Sequence, residues 1–158
     1  KEGDSPESIA FNYYERVDYG WTILVVNDIT NYHEQWPRTA TSLREYVYDK
    51  YDNPDAIMMY ETTEVVDALQ RKIVEAGKRV PSNFQITYYD GTASAGVTVN
   101  PVSAVTYYQY EERLNSEKEK IQLIKPTYIK EFADIYTASL HAGGSLVVGQ
   151  SRSEIKID

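Results

Sequence analysis

The sequence predicts an α+β fold, and three observations carry that prediction. Apolar residues recur at helical spacing near both ends of the chain, the middle has the composition of β-strands, and turn residues separate these segments. A chain of 158 residues suffices for one domain, or for a small domain with an extension. The pattern divides the chain into a small unit with a following helix (1–53), an extended β-rich region (54–103), a hairpin with an amphipathic helix (104–142) and a tail (143–158).

Two short helices are predicted near the N-terminus. The first follows a turn at Gly3 and Asp4, where Asp4 or Ser5 can serve as N-cap. Pro6 suits the first helical turn. The residues of this helix that recur at helical spacing are Ile9, Ala10, Tyr13 and Tyr14. The second helix is predicted over residues 19–26 from the same spacing of Trp21, Leu24 and Val25.

A third helix is predicted after the connection that contains Pro37. Ser42 and Glu45 have the spacing of a capping box, S-x-x-E. One face of such a helix carries Leu43, Tyr46, Val47 and Tyr51. Asn53 and Pro54 end it, because the residue before a proline disfavours the helical conformation.

The middle of the chain predicts strands, with one segment left open. Residues 56–66 and 83–91 have strand composition, and residues 97–99 form a short strand that Pro101 ends. Residues 61–77 fit two structures. They form either a helix with Val65, Leu69, Ile73 and Ala76 on one face, or two short strands around a turn.

The C-terminal part predicts a hairpin followed by an amphipathic helix. Two strands are expected around Asn115 and Ser116, the second over residues 120–124. Pro126 starts the helix, whose apolar stripe consists of Ile129, Phe132, Ala133, Tyr136 and Leu140. This stripe is too apolar to face water along its whole length. Either this chain or a neighbouring chain therefore covers it.

The composition excludes several classes of partner. The formal net charge is −8, whereas a nucleic-acid binder needs basic residues that displace counterions from phosphates. The same charge disfavours an anionic membrane surface. No apolar run approaches the roughly 20 residues of a transmembrane helix. The sequence has no cysteine, which excludes disulfides and Cys-based metal sites.

No residue pattern indicates catalysis, a cofactor or a metal. The two histidines, His33 and His141, are far apart in sequence, and a solitary His in a polar segment is usually solvated. The sequence has no nucleophile elbow, phosphate-binding loop or dinucleotide-binding glycine pattern. The acids of residues 111–119 alternate with lysines, as in a solvated hairpin tip. We therefore predict a protein that is not an enzyme and has no catalytic, cofactor-binding or metal-binding residues.

Tyrosine is unusually frequent, with 15 tyrosines against three phenylalanines. A tyrosine combines a rigid apolar ring with a polar tip, which suits surfaces that are half-buried or become buried on assembly. Composition alone permits two interpretations. The tyrosines lie on the semi-exposed strands of an ordinary α+β domain, or they form an assembly surface.

The N-terminal residues resemble a LysM domain. The matching elements are a Gly-Asp-Ser turn, a small-apolar-Ala segment, a tyrosine, an apolar run and an asparagine. In this chain they are Gly3, Asp4, Ser8, Ile9, Ala10, Tyr14, Trp21, Leu24 and Asn27. The resemblance implies a β-α-α-β unit whose first strand would lie before Lys1. An aromatic and more apolar stretch replaces the polar turn and second helix of ordinary members.

With that departure, the chain is similar to a narrower family, the LysM-like baseplate wedge proteins of contractile-tailed, T-even-like bacteriophages. One matching block runs from Tyr14 through the Tyr19-Gly20-Trp21 step to Trp36. The second block, residues 110–140, contains a segment rich in Glu and Lys, an apolar strand, a Lys-Pro break and an amphipathic helix. The two blocks cover about half of the chain and keep their order.

The resemblance implies a structural virion protein that joins neighbouring wedge subunits into the ring of a phage tail baseplate. The implied partners are other wedge proteins and the sheath-initiating and hub proteins of the tail, with multiple copies around the ring. The implied location is the virion, after assembly in the host cytoplasm. The expected partner-binding residues are Tyr19, Tyr32, Trp36, Ile129, Phe132 and Tyr136. The alternative for the C-terminal helix is that it packs only on its own domain.

A second function follows from the wider LysM resemblance. Ordinary LysM modules bind N-acetylglucosamine chains of peptidoglycan or chitin in a shallow, polar groove. The corresponding helix of this chain is apolar and aromatic, which suits a buried protein contact better. Glycan binding is therefore the alternative function.

Overall fold

The computed structural model describes residues 3–89, 91 and 95–141, and the chain divides into two compact units. Gly3–Trp36 and residues 121–141 together form what we call the two-segment unit. Pro37–Lys120 form the central unit. This division differs from the four predicted segments, because the helix after Pro37 belongs with the strands that follow it. The predicted tail, 143–158, lies outside the described residues.

The fold contains helices and antiparallel strands, in agreement with the predicted α+β class. The described helices are α1 (Pro6–Tyr14), α2 (Gly20–Val26), α3 (Tyr32–Gln35), α4 (Ala40–Lys50), α5 (Tyr107–Lys118) and α6 (Pro126–His141). The described strands are β1 (Ile57–Thr62), β2 (Val65–Val66), β3 (Lys72–Val74), β4 (Arg79–Val80), β5 (Ile86–Tyr88), β6 (Val97–Val99) and β7 (Val102–Thr106).

Helices α1 and α2 begin the two-segment unit, as the sequence predicts. Ser5 caps α1 by accepting a hydrogen bond from the Ser8 amide, and Pro6 occupies the first turn. Glu15 ends α1 in the left-handed conformation, and a short 3-10 turn, Val17–Tyr19, leads into α2. Gly20 lets the two helices approach closely, because a Cβ there would lie 3.2 Å from the Glu7 main chain.

The core of the two-segment unit forms around Ala10, Ile23 and Trp36, all of which are buried. Side chains from both segments pack on it: Ile9, Tyr14, Tyr19, Leu24, Ile29, Ile121 and Leu123. No strand is assigned among the described residues of this unit, so the outer strands of a β-α-α-β arrangement do not appear there. Residues 120–124, predicted as a strand, have no strand partner in the described part of the chain.

The central unit combines a three-stranded antiparallel sheet with α4 and α5. Strand β1 lies between β4 and β7, and Tyr60 pairs with both Val80 and Ala104. Two separate hairpins, β2–β3 and β5–β6, complete its strands. The pair β2–β3 confirms the two-strand alternative for residues 61–77. The strands predicted in 56–66, 83–91 and 97–99 are also confirmed.

The predicted hairpin around Asn115 and Ser116 is wrong, because these residues lie in helix α5. Thr106 and Gln109 form a capping box, in which each side chain accepts a hydrogen bond from the other residue's amide. The buried residues of α5 are Glu111 and Asn115. A helix whose buried face is polar has no apolar periodicity to reveal it. The predicted capping box at Ser42 is also wrong, since Thr39 caps α4.

Candidate protein-interaction site

Asn27 joins the two segments of the two-segment unit. Its side-chain amide donates to the Gln122 carbonyl at 2.9 Å, and its Oδ1 accepts from the Gln122 amide at 2.8 Å. The same Nδ2 also donates to the carbonyl of Ile23 in α2. One side chain thus links residues 95 positions apart in sequence. The asparagine of the LysM-like motif therefore has a structural role that its position at a chain reversal did not indicate.

Tyr14 makes a second bond to the same segment. Its hydroxyl donates to the carbonyl of Ile124 at 2.8 Å, and its ring contacts the edges of Tyr13 and Tyr19. Burial raises the pKa of Tyr14, so the hydroxyl remains a donor throughout the neutral range. Asn27 and Tyr14 together hold residues 122–124 against α1 and α2.

Helix α6 packs on the Trp21 ring. The Trp21 ring lies 6.3 Å from that of Phe132 and 5.0 Å from that of Tyr136, and Ile129 is buried. Ile129, Phe132 and Tyr136, the α6 residues predicted to bind a partner, therefore pack at least in part within their own unit. Leu140, at the end of the stripe, is exposed, and the rings of Phe132 and Tyr136 are half-exposed.

Trp36 lies outside the nine motif residues but contacts their first turn. Its indole N–H donates to the Asp4 carbonyl at 3.0 Å, which fixes the Gly3-Asp4 turn beside the core. Tyr32 stacks on Trp36 with ring centroids 5.4 Å apart, and burial raises the pKa of Tyr32. Trp36 is thus a core residue, whereas Tyr32 is exposed. The described structure brings all nine residues of the LysM-like motif into this one unit.

Several exposed apolar side chains of the two-segment unit were not named as partner-binding residues, although Leu140 belongs to the stripe that was predicted to be covered. They are Phe11, Tyr13, Val17, Tyr128, Ile135 and Leu140. Tyr128 and Ile135 are 51% and 60% exposed and lie seven residues apart on α6, so they share one face. We call these two residues the outer face of α6. Their spacing was readable in the sequence, but the stronger stripe through Ile129 and Phe132 obscured it.

A buried ionic cluster in the central unit connects α4 to α5. Glu111 is 6% exposed and accepts hydrogen bonds from Lys50 Nζ at 2.8 Å and from the Tyr51 hydroxyl at 2.7 Å. The Tyr51 ring packs on Tyr107, with centroids 4.6 Å apart. Burial disfavours the Glu111 carboxylate, but the bonds from Lys50 and Tyr51 outweigh it and lower the pKa of Glu111.

This cluster is chemically suited to structure rather than proton transfer. The bond to Glu111 raises the pKa of Lys50, so the ammonium stays charged and cannot act as a base near neutral pH. The lowered pKa of Glu111 likewise keeps the carboxylate ionised.

Among the described residues, no group of three or more acids and histidines is placed to hold a metal. None of the described helices is long and apolar enough to cross a membrane.

Comparisons of the chain with protein-family models, curated proteins and solved structures give no match.

Proposed function

We propose that this chain is a structural virion protein of a phage tail baseplate, which joins neighbouring wedge subunits into a ring through protein contacts. Its proposed partners are other wedge proteins and the sheath-initiating and hub proteins, in multiple copies around the ring. Its proposed site of action is the virion, after assembly in the host cytoplasm. The chemistry is burial and hydrogen bonding rather than turnover.

One observation carries this proposal. The two blocks that resemble the wedge family, around residues 14–36 and 110–140, are far apart in sequence. The first block and residues 121–140 of the second fold together, through Asn27 with Gln122 and through Trp21 with α6. A chance similarity between two unrelated stretches would give no reason for such contacts.

The exposed surface supports the same proposal. Phe11, Val17, Tyr128, Ile135 and Leu140 are each more than half exposed in a unit of modest size. Two of them, Tyr128 and Ile135, share one face of α6, which a neighbouring subunit could cover. The net charge of −8 is compatible with protein partners and unfavourable for nucleic acid.

The test is the content and architecture of tail particles from the phage that encodes the chain. We expect the chain in purified tails at the same copy number per particle as the wedge proteins, measured by quantitative mass spectrometry. Deleting its gene should leave wedges that do not close into a ring, as seen by electron microscopy. Complete baseplates in the deletion strain, or particles that lack the chain, would contradict the proposal.

A further inference from the structure

Residues 121–124 belong to no helix or sheet of the described chain, but their hydrogen bonds have the pattern of an extended strand. Asn27 bonds both the N–H and the C=O of Gln122, so both groups point to the same side, as they do in a β-strand. The carbonyl of Ile124, two residues on, points to that side as well, because it accepts from Tyr14. The inward edge of this segment is therefore held by side chains that take the place of a neighbouring strand.

The opposite edge of the same segment has no main-chain partner among the described residues. In an extended chain the main-chain groups of successive residues face opposite sides, so those of Ile121 and Leu123 face away from Asn27. Within residues 3–89, 91 and 95–141, these groups make no hydrogen bond. The Ile121 and Leu123 side chains pack on the core, which fixes the register of this free edge.

We infer that this edge binds an extended strand from a neighbouring subunit, by β-strand addition. The inference rests on the proposed function and names the surface through which the chain joins its neighbours. The groups that remain unsatisfied alternate between donors and acceptors with the period of a strand. Another extended main chain is their natural complement.

The structure also indicates the chemistry of the incoming strand. The seven described strands are all in the central unit and already paired there, so none of them is free to fill this edge. Alternate side chains of the incoming strand are apolar, because they continue the layer formed by Ile121 and Leu123. Lys125 follows the edge, is exposed and has no acidic partner among the described residues, which favours an acidic residue in the strand beside it.

Hydrogen exchange at single amides tests the inference. In the isolated chain at micromolar concentration, the Gln122 amide should exchange slowly, and the amides of Ile121 and Leu123 should exchange quickly. In tail particles or in a purified complex with a wedge subunit, the Ile121 and Leu123 amides should slow by at least tenfold. The Gln122 amide is the internal control, because its partner, Asn27, is present in both states.

Each other result overturns the inference in a distinct way. Slow exchange at Ile121 and Leu123 in the isolated monomer would show that the chain itself covers the edge. Protection that rises with the concentration of the isolated chain would identify a second copy as the occupant. Fast exchange in complexes that contain the chain would reject strand addition and leave the proposed function standing. Absence of the chain from tail particles would overturn the proposed function and the partner named here.

A pair of variants separates the edge from the core. Leu123→Ala and Leu123→Pro both remove the packed side chain, but only the proline also removes the outward N–H. We expect both variants to have similar melting temperatures, and only Leu123→Pro to lose incorporation into particles by at least tenfold relative to Leu123→Ala. Equal incorporation of two equally stable variants would contradict the use of this edge.

Discussion

The Asn27 side chain forms two hydrogen bonds with the main chain of Gln122, one to its N–H and one to its C=O. A side-chain amide has the same donor and acceptor as a peptide group, so it can satisfy a strand residue without a strand. A similar contact exists in the central unit, where the Asn115 amide bonds both the N–H and the C=O of Arg38. Two asparagines thus fix long-range contacts that no periodicity in the sequence reveals.

Removing the Asn27 amide should loosen residues 121–124. We expect Asn27→Ala to lower the free energy of unfolding by about 1–2 kcal/mol, because three hydrogen bonds are lost, one partly buried and two exposed, and each contributes about 1 kcal/mol or less. Chemical denaturation measures this loss, and faster exchange of the Gln122 amide locates it. The exposed Asn83→Ala variant is the control and should be neutral. An unchanged exchange rate at Gln122 would show that Asn27 does not hold the segment.

Truncating Trp21 should release α6. We expect Trp21→Ala to lower the free energy of unfolding by about 3 kcal/mol, the low end of the range for large aromatic residues, because the ring is half-buried. The amides of α6 should lose protection against hydrogen exchange, since Phe132 and Tyr136 lose their stacking partner. Trp21→Phe retains an aromatic ring and should show a smaller loss. Unchanged protection in α6 would place the docking contact elsewhere.

Neutralising Glu111 should weaken the contact between α4 and α5. We expect Glu111→Gln to lower the free energy of unfolding by about 1.5–3 kcal/mol, the usual range for hydrogen bonds to a charged group. The lower half of that range is expected, because Lys50 is 41% exposed and water can solvate its ammonium group once the Glu111 carboxylate is removed. The adjacent, exposed Glu112→Gln is the matched control and should be neutral. Equal denaturation midpoints for the two variants would contradict this role.

The same cluster predicts a dependence of stability on acidity. The pKa of Glu111 is lower in the folded chain than in the unfolded chain. The ionised carboxylate therefore makes its full contribution to the free energy of unfolding above about pH 4.3, and this contribution declines as the pH falls through the pKa of the folded chain. The difference in unfolding free energy between wild type and Glu111→Gln should therefore shrink below about pH 4. Denaturation at pH 7, 4 and 3 measures it. A constant difference across this range would reject the assignment.

The outer face of α6 should matter for assembly and not for folding. We expect Tyr128→Asp combined with Ile135→Asp to change the free energy of unfolding by no more than about 0.5 kcal/mol per site, because both side chains are more than half exposed. Incorporation of this variant into tail particles should fall strongly. Thr127→Asp, exposed on the same helix, is the control for added charge. Normal incorporation of the double variant would remove this face from the proposed contacts.

Affinity for glycans should be weak or absent. The groove helix of a sugar-binding LysM module is polar, whereas α2 of this chain carries Ile23 in the core and Trp21 against α6. Titration of the chain with chitin oligomers, followed by calorimetry or by amide shifts, measures this. Micromolar binding that maps to residues beside Gly3, Asp4 or Asn27 would favour the alternative function over the baseplate assignment.

The sequence predicted those elements whose signals are local. Helices α1, α2 and α6 were predicted within about a turn, because a cap or a proline marks the start of α1 and α6 and apolar spacing marks all three. Helix α5 was missed, since its buried residues are Glu111 and Asn115, and partners for such polar residues cannot be read from spacing. The hairpin β2–β3 was one of two open alternatives, because its strands are two and three residues long.

Only the local features of the candidate site were predicted, because contacts between distant residues leave no local signal in the sequence. The motif residues were identified by type and order, but their contacts join positions about a hundred residues apart. The stripe of α6 was predicted as apolar and covered, with its cover left open. Trp21 partly covers Phe132 and Tyr136, whereas Leu140 is exposed, and only the three-dimensional structure could identify this.

The two-segment unit has a consequence for synthesis on the ribosome. Helices α1 and α2 have nine and seven residues, too few to be stable alone, and they emerge before the residues that complete their core. Translation of the whole central unit, which takes several seconds at about 5–20 residues per second, intervenes before Ile121 and Leu123 appear. The central unit can therefore fold while the nascent N-terminus still exposes Trp21 and Trp36. A chaperone that binds aromatic segments would find its target in this interval, and slower translation would prolong it.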